Sequence, residues 1–160
     1  MTIQPGEKIP AATVHEMTAD GPAALSTADL FDGKTVMLFG LPGAFTPTCS
    51  AQHLPGYLDL ATQFKDKGVD EIVCFAVNDA FVMGAWGKDL SVDGKVRMIA
   101  DGSAELTQKL GLELDLIERG LGVRCERFAM VVEDGTVKSL DVEAPGEFQV
   151  SSAAAQLSRL

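Results

Sequence analysis

One cysteine, Cys49, closes the segment PGAFTPTC at residues 42–49, directly after an apolar run at residues 35–41. The apolar run is continuous and partly β-branched, which is typical of a strand buried on both faces. Thr46 followed by Pro47 predicts a helix N-cap with proline at the first helical position. Cys49 then lies in the first helical turn, where free N–H groups and the positive end of the helix stabilise an anion. This spacing predicts a reactive thiolate.

The positions of the other two cysteines, Cys74 and Cys125, limit the chemistry. Three cysteines cannot all pair with one another, and none has a CxxC or zinc-like spacing, so structural disulfides and a metal site are poor explanations. A thioredoxin-type motif would need a cysteine three residues from Cys49, where Thr46 and Gln52 stand. The chemistry must therefore begin from one sulfur.

His53 lies one helical turn beyond Cys49, so a cysteine/histidine hydrolase pair is the first alternative. No motif supplies the carboxylate that would orient the imidazole, and none supplies an oxyanion hole. Hydrolysis is therefore disfavoured.

The elements around Cys49 follow from apolar runs, cap residues and turn signals. Residues 71–77 predict a second buried strand, which is reached through the Cys49 helix and must pair in parallel with the first. A β-α-β core, a hairpin and a last helix match an α/β, thioredoxin-like fold with a central mixed sheet flanked by helices. The further predicted elements are a helix from Asn78 or Asp79 through Trp86, a strand at 96–100, a helix capped by Ser103 that stops at Gly111, a loop through Gly120 and Gly122, a hairpin of 128–132 and 136–142, and a helix from Ser151 or Ser152 to near Leu160.

Pro55 predicts a kink in the Cys49 helix, because it lacks a backbone donor and obstructs the carbonyl of Ala51. The kink has two interpretations. It allows residues 47–54 to unwind without melting the rest of the helix, or it only wraps the helix around the core.

Composition limits the classes of partner and the location. Thirteen basic against twenty-three acidic residues leave a net charge of −10, which argues against nucleic acid and anionic membranes as partners. No apolar stretch approaches the ~20 residues of a membrane span. Residues 1–6 have no signal-peptide character, so we expect a cytoplasmic protein, or an organellar one if a transit peptide has been removed. The length predicts a single domain, residues 1–160.

The string PGAFTPTCS at residues 42–50 resembles the active-site signature of the peroxiredoxins, in particular that of their type II branch, also called the type V group. The resemblance covers nearly the whole chain, in order and at plausible spacing. Its outlying matches are HLPG (53–56), VND (77–79), FVM (81–83), ADGS (100–103), GL (111–112), RF (127–128) and GEF (146–148).

This resemblance implies the same thioredoxin-like fold, a homodimer formed beside the active-site loops, and an atypical thiol peroxidase that needs neither metal nor organic cofactor. Such an enzyme reduces hydrogen peroxide and alkyl hydroperoxides to water or alcohols. Cys49 would attack, become a sulfenic acid, and be regenerated by Cys74 or by an external thiol system, either glutaredoxin with glutathione or thioredoxin. A reductase of other oxidants such as peroxynitrite, and a redox sensor or holdase switched by Cys49 oxidation, are the alternatives.

Ionisation of one thiol does not explain the rate acceleration that such an enzyme needs. A free cysteine with a pKa of about 8.5 is roughly 3% thiolate at pH 7, so full ionisation yields at most ~30-fold in rate. Enzymes commonly supply at least ~10⁶-fold, so other groups must stabilise charge on the peroxide oxygens. The resemblance implies which groups these are: the Thr46 hydroxyl and Cys49 N–H as hydrogen-bond partners, Arg127 as a fixed positive charge, Pro42 as a shield against water, and Gly43 and His53 as supporting residues.

Cys74 has two interpretations, and Cys125 has one. Cys74 lies mid-strand in an apolar run, as a small core residue does, but its position resembles the resolving cysteine of the type II branch. The sequence leaves both open. Cys125 has no role that the resemblance implies, and we expect it to be structural.

Overall fold

Two parallel strands at residues 35–40 and 71–76 form the centre of a seven-stranded sheet in the computed structural model, which describes residues 1–160. The strands are β1 (Thr13–Thr18), β2 (Gly21–Ser26), β3 (Thr35–Gly40), β4 (Glu71–Ala76), β5 (Arg97–Ala100), β6 (Glu113–Leu116), β7 (Gly122–Cys125), β8 (Phe128–Glu133) and β9 (Thr136–Val142). The large sheet has the order β2-β1-β5-β4-β3-β8-β9, and β6 pairs with β7 separately. Strands β3, β4 and β5 are parallel and the other pairs are antiparallel, so the sheet is mixed as predicted.

Six short helices cover both faces of this sheet. They are α1 (Thr27–Phe31), α2 (Leu54–Asp59), α3 (Ala61–Asp66), α4 (Ala80–Asp89), α5 (Glu105–Leu110) and α6 (Ala153–Leu157). Side chains alternate across each strand, so Phe39 of β3 packs in one buried cluster with Tyr57 and Trp86, and its neighbour Leu38 packs in another with Phe31. No helix is long and apolar enough to cross a membrane.

The buried strands and the hairpin at Asp134 and Gly135 confirm the sequence predictions. Both residues have positive φ, 48° and 78°, as a two-residue turn between twisted strands requires. Asp79, one of two candidates, caps α4 by accepting from Val82 N–H. Ser152, also one of two candidates, caps α6 by accepting from Ala155 N–H.

Two local predictions are wrong. Ser103 does not cap α5, because the buried carboxylate of Asp101 accepts from the N–H groups of Leu106 and Thr107 instead. The predicted loop through Gly120 and Gly122 is largely the β6–β7 hairpin. These strands are short and partly charged, so cross-strand pairing rather than an apolar run defines them.

Candidate active site

The loop after β3 leads into the segment that carries Cys49. The chain is helical from Pro47, and Ser50 N–H donates to Thr46 O at 2.9 Å. Residues Cys49–His53 form one π-helical turn, in which Leu54 N–H reaches back five residues to Cys49 O. A wider turn relieves the crowding between the Pro55 ring and the preceding carbonyls, so the predicted kink takes the form of a π turn.

Thr46 lies where it was predicted but makes a different bond. Its hydroxyl donates to Gly43 O at 2.7 Å, and no backbone N–H of the helix donates to it. Thr46 therefore holds the predicted N-cap position, with Pro47 first in the helix, but its side chain does not cap the helix. The bond instead ties the loop back on itself and leaves the lone pairs of the Thr46 oxygen free to accept.

Arg127 reaches the Cys49 sulfur from the neighbouring strand. Strand β8 runs antiparallel to β3 with Phe128 opposite Gly40, so Arg127 lies beyond the end of β3, where the Cys49 helix begins. Its Nη2 donates to Cys49 Sγ at 3.1 Å, and the Cys49 side chain has no exposed surface. A guanidinium is protonated at all working pH values, so the sulfur always faces a cation.

His53 holds the other arm of the guanidinium. Arg127 Nη1 lies 2.8 Å from His53 Nδ1, and His53 Nε2 lies 3.1 Å from Ser151 O. A guanidinium can only donate and a carbonyl can only accept, so the imidazole is the neutral tautomer with its proton on Nε2. Both ring nitrogens are occupied, so neither can act as a base toward Cys49, which disfavours the hydrolase alternative.

Burial and a cation determine the charge of His53. Desolvation first, and the nearby Arg127 charge second, lower its pKa from 6.5 to about 3. Phe39 and Phe148 pack at 4.9 Å and 5.0 Å between ring centroids. The imidazole is therefore neutral throughout the physiological range.

A cavity of about 460 Å³ adjoins Arg127. Pro42, Thr46 and Pro47 line it, and Phe148 lies both on its wall and against the guanidinium, 5.8 Å from ring centroid to Cζ. Its apolar lining also includes side chains of the β6–β7 hairpin and its loop, namely Leu114, Leu116 and Leu121. A molecule entering this cavity meets the cation that contacts the Cys49 sulfur.

Comparisons with known proteins assign the chain to a family. Residues 4–157 match the family model described as Redoxin. The chain is 52% identical over 149 residues to Peroxiredoxin-2B of Arabidopsis thaliana, with 92% of each protein covered. It belongs to the peroxiredoxin family. This peroxiredoxin is also 44% identical over 163 residues to the chloroplastic Peroxiredoxin-2E of the same plant, covering 99% of this chain and 70% of that protein.

A solved structure supports the fold, and the named relatives support the activity class. The reduced peroxiredoxin Prx3 of Vibrio vulnificus, in complex with hydrogen peroxide, is 47% identical, with a TM-score of 0.95 and 99% of both chains covered. The fold of this peroxiredoxin is therefore thioredoxin-like, as predicted. With named peroxiredoxins at about half identity over most of its length, it is a thiol peroxidase.

The structure brings together five of the sequence-predicted site residues of this peroxiredoxin. Cys49, Arg127 and His53 form one hydrogen-bonded chain, and Thr46 lines the adjoining cavity beside Pro42.

Sequence reasoning missed the two residues that hold the loop between β3 and Cys49. Arg124 Nη1 donates to Pro42 O at 3.2 Å, and Asn78 Oδ1 accepts from Ala44 N–H at 2.9 Å. A Cβ at Gly43 would lie 2.6 Å from Arg124 Nη1 and would push the guanidinium away from Pro42. Asn78 stands in one of the strings that carry the peroxiredoxin resemblance, whereas nothing in the sequence marked Arg124.

Neither Cys74 nor Cys125 contacts Cys49 through a bond, since all three cysteines are free and buried. Cys74 lies in the middle of β4 opposite Phe39, and burial is the main cause that raises the pKa of its thiol. Burial also raises the pKa of Cys125 to about 12, and its Sγ donates to Leu41 O at 3.1 Å. Cys125 thus has the contacts of a structural residue.

The neutral state of His53 predicts a specific pH dependence of stability. The folded pKa of about 3 lies below the unfolded value of 6.5, so unfolding takes up a proton as soon as the pH falls below 6.5. The free energy of unfolding should therefore fall between pH 6.5 and 4.5, with a slope approaching about 1.4 kcal/mol per pH unit. Urea unfolding of the wild type and of His53→Gln across this range measures the difference in slope.

The control for this experiment is the only other histidine, His15, which is exposed on β1. His15→Gln should keep the wild-type slope, and His53→Gln should lose most of it. Equal slopes for the wild type and His53→Gln would contradict a buried neutral imidazole.

Proposed function

We propose that Cys49 is the peroxidatic nucleophile of this enzyme and that Arg127 stabilises the charge that develops on the peroxide. The observation that carries the proposal is the fork of Arg127: one arm donates to the Cys49 sulfur at 3.1 Å while the other is anchored on His53 at 2.8 Å. A fork held at one end presents the other end in a defined direction, which is the requirement of electrostatic preorganisation.

The proposed step transfers one oxygen. The Cys49 thiolate attacks the nearer oxygen of a hydroperoxide, an S–O bond forms and the O–O bond breaks. The leaving alkoxide or hydroxide takes up a proton to become alcohol or water, and sulfur is oxidised to the sulfenic acid. Charge moves from sulfur to the leaving oxygen during this step, and Arg127 lies beside the sulfur where that charge begins.

Thr46, Pro42 and the backbone of Cys49 complete the proposed site. The Cys49 N–H donates to no protein atom and is available for a peroxide oxygen. The Thr46 hydroxyl already donates to Gly43 O, so toward a peroxide it acts as an acceptor for the O–H hydrogen. Pro42 lines the cavity with carbon atoms and offers water no donor, which supports its role as a shield.

The proposed substrates are hydrogen peroxide and alkyl hydroperoxides. The similar Vibrio vulnificus protein is described in complex with hydrogen peroxide, which supports the smaller substrate. The cavity of about 460 Å³ with leucine and phenylalanine side chains on its wall supports substrates that carry an alkyl group. Comparing kcat/KM for hydrogen peroxide and for a series of alkyl hydroperoxides tests this choice.

The proposed reductant is an external thiol, either glutaredoxin with glutathione or thioredoxin. One thiol condenses with the Cys49 sulfenic acid to a mixed disulfide and releases water, and a second thiol returns Cys49 to the reduced state. Turnover measured with each reductant separately tests the proposal. Catalytic peroxide loss supports it, whereas loss of one peroxide per subunit supports the redox-sensor alternative.

The burial of Cys74 predicts that it does not resolve Cys49. Its thiol has no exposed surface, lies within the central strand β4 and is held protonated by desolvation, so it is a poor nucleophile. We expect Cys74→Ser to keep at least about half of the wild-type turnover with glutaredoxin and glutathione. Peptide mapping after peroxide treatment should find Cys74 as a free thiol and Cys49 as sulfenic acid, sulfinic acid or mixed disulfide.

The opposite result has a clear structural signature. We expect a Cys49–Cys74 disulfide to unwind the segment from Thr48 to Leu54, because Cys49 begins a helical segment, Cys74 lies inside a strand, and a disulfide needs its two Cα atoms within about 7 Å. Finding that disulfide, together with faster hydrogen exchange at residues 48–54 in the oxidised protein, would establish the two-cysteine route and overturn the external-thiol proposal for the resolving step.

A homodimer formed beside the active-site loops is also part of the proposal. Phe45 of the Cys49 loop and Phe81 at the start of α4 are 54% and 66% exposed, which supports a contact surface on this side of the protein. Light scattering of the wild type and of Phe45→Ser/Phe81→Ser measures the association.

We further propose that the chain is a single domain, which is supported by one family match at residues 4–157. We also propose a cytoplasmic location, with an organelle as the alternative because a relative is chloroplastic.

A further inference from the structure

We propose that Glu143 is a positioning residue for the peroxidase reaction: it fixes the segment that ends at Ser151, whose carbonyl holds His53 and thereby aims Arg127 at Cys49. This inference rests on the proposed function of Arg127 and Cys49. Glu143 contacts none of the reacting atoms, and its role is to keep a chain of four successive hydrogen bonds, from Glu143 through Ser151, His53 and Arg127 to Cys49, in one geometry.

The side chain of Glu143 gathers three donors on a single oxygen. Its Oε2 accepts from Gln149 N–H at 2.8 Å, from Ser151 N–H at 2.8 Å and from the Ser151 hydroxyl at 2.7 Å. Residues 143–150 belong to no helix or strand, and their only internal backbone bond runs from Glu147 N–H to Ala144 O. The carboxylate is therefore the main tether between the end of β9 and Ser151.

The backbone of Glu143 ties this tether to the active-site strand. Glu143 N–H donates to Arg127 O at 2.9 Å, directly beyond the last β8–β9 pair. One residue thus fixes the main chain of Arg127 through its own main chain, and the far end of the Arg127 side chain through the Ser151 segment. Glu143 therefore helps to position both the backbone and the guanidinium of Arg127.

The Ser151 carbonyl is the second step of the chain. It accepts from His53 Nε2 at 3.1 Å and from the Tyr57 hydroxyl at 2.7 Å, and Ser151 itself is fully buried. Tyr57 stacks on Phe39 with ring centroids 4.0 Å apart, so its hydroxyl is fixed by the core. A displaced Ser151 carbonyl would leave Nε2–H unpaired in a buried site, and the imidazole would have to turn or bind water.

The ionised state of Glu143 agrees with a tether. Burial opposes its ionisation, but the hydrogen bonds from Ser151 and Gln149 outweigh burial and hold its pKa below the usual value. The groups that face His53 are Arg127, Tyr57 and Glu143 itself, and the Glu143 charge raises the pKa of His53. A purely electrostatic Glu143 and a tethering Glu143 therefore predict opposite changes at His53 when the carboxylate is removed.

The experiment compares Glu143→Ala, Glu143→Gln and the wild type in the full chain. Stopped-flow oxidation of Cys49 by hydrogen peroxide measures the reaction that needs Arg127, and alkylation by iodoacetamide measures a thiolate reaction without peroxide oxygens. We expect Glu143→Ala to slow peroxide reduction about 10- to 100-fold, as a misplaced group does. Alkylation should change less than about 3-fold. Glu143→Gln should lie closer to the wild type than Glu143→Ala for both, because its amide oxygen has two lone pairs and can keep two of the three bonds.

The NMR signals of the His53 imidazole report its protonation state, which a general loss of stability would not change in the folded protein. The chain has two histidines, so His15 is an internal reference for the NMR signals of His53. In the wild type His53 should stay neutral with its proton on Nε2 down to pH 5. In Glu143→Ala the loosened segment should admit water, and His53 should become protonated in this range. If the carboxylate acted only through its charge, His53 would stay neutral in Glu143→Ala, which would overturn the proposal.

The matched control is Glu133→Ala, which removes an exposed carboxylate at the other end of β8. It should match the wild type in all three measurements, and an equal loss of rate would assign the effect to net charge and overturn the proposal. Wild-type peroxide rates in a folded Glu143→Ala would also overturn it while leaving the roles of Cys49 and Arg127 intact. If Glu143→Ala does not fold, Ser151→Ala removes one of the three bonds; unchanged rates and unchanged His53 signals in that variant would overturn the proposal.

Discussion

Replacing Cys49 by serine is expected to lower the rate of peroxide reduction by at least about 1,000-fold, as the loss of a nucleophile does in other enzymes. A hydroxyl in this position is almost entirely un-ionised at neutral pH and is a weak nucleophile toward the O–O bond. The substitution exchanges one atom in a fully buried site, so the fold should be retained. Stopped-flow peroxide consumption and urea unfolding, measured on the same preparation, separate the two effects.

The control is a second buried cysteine that lies in the other core cluster. Cys125→Ser keeps a donor for the Leu41 carbonyl and should keep wild-type activity. Activity above a few per cent in Cys49→Ser would place the nucleophile elsewhere in the chain. Loss of activity in Cys125→Ser with an intact fold would give Cys125 a part in the reaction.

Arg127→Lys is expected to have the second largest effect, a loss of about 100-fold in peroxide reduction, comparable with the loss of one preorganised donor in other enzymes. The charge is preserved, but an ammonium lacks the planar fork that donates to His53 Nδ1 and Cys49 Sγ together. The lysine must leave one of these acceptors without its donor. The free energy of unfolding should change less than the activation free energy, because Arg127 is only partly buried and borders the cavity.

Arg159→Lys is the matched control, since Arg159 is exposed near the end of the chain and pairs with Asp141 outside the site. It should be indistinguishable from the wild type in rate. A wild-type rate in Arg127→Lys would remove the fork from the mechanism, and a rate restored by Lys but lost in Arg127→Gln would show that charge alone is sufficient.

The position of Cys49 in the first turn of a helix that follows a buried strand could be predicted from the sequence because its determinants are local. An apolar strand, a proline-rich entry and a cysteine in the first helical turn occupy fewer than twenty consecutive residues, and each acts through backbone geometry. Buried strands such as β3 and β4 were predictable for a similar reason, since a strand covered on both faces must be continuously apolar. The peroxiredoxin resemblance then extended this local prediction to Arg127, 78 positions away from Cys49.

The bonds made by each polar side chain could not be predicted, because several acceptors compete for one donor. Thr46 holds the predicted N-cap position, but its hydroxyl donates to Gly43 O and accepts from no N–H group of the helix. The predicted cap Ser103 is replaced by Asp101, whose carboxylate is buried beneath the helix and accepts from two N–H groups. A buried carboxylate with several donors is a stronger partner than a serine hydroxyl at a helix end, and burial is a property of the tertiary structure.

In two pairs of neighbouring residues, the local sequence predicts the start of a helix, whereas the fold selects the residue that caps it. The sequence determined that a helix begins after Asn78–Asp79 and another after Ser151–Ser152, because cap chemistry is local. The tertiary structure used one member of each pair as the cap. The other member of each pair bonds to the active-site region: Asn78 Oδ1 accepts from Ala44 N–H in the loop before Cys49, and Ser151 O accepts from His53 Nε2. These contacts join residues 34 and 98 positions apart, and only the packing of helices against the sheet brings such residues within hydrogen-bonding distance.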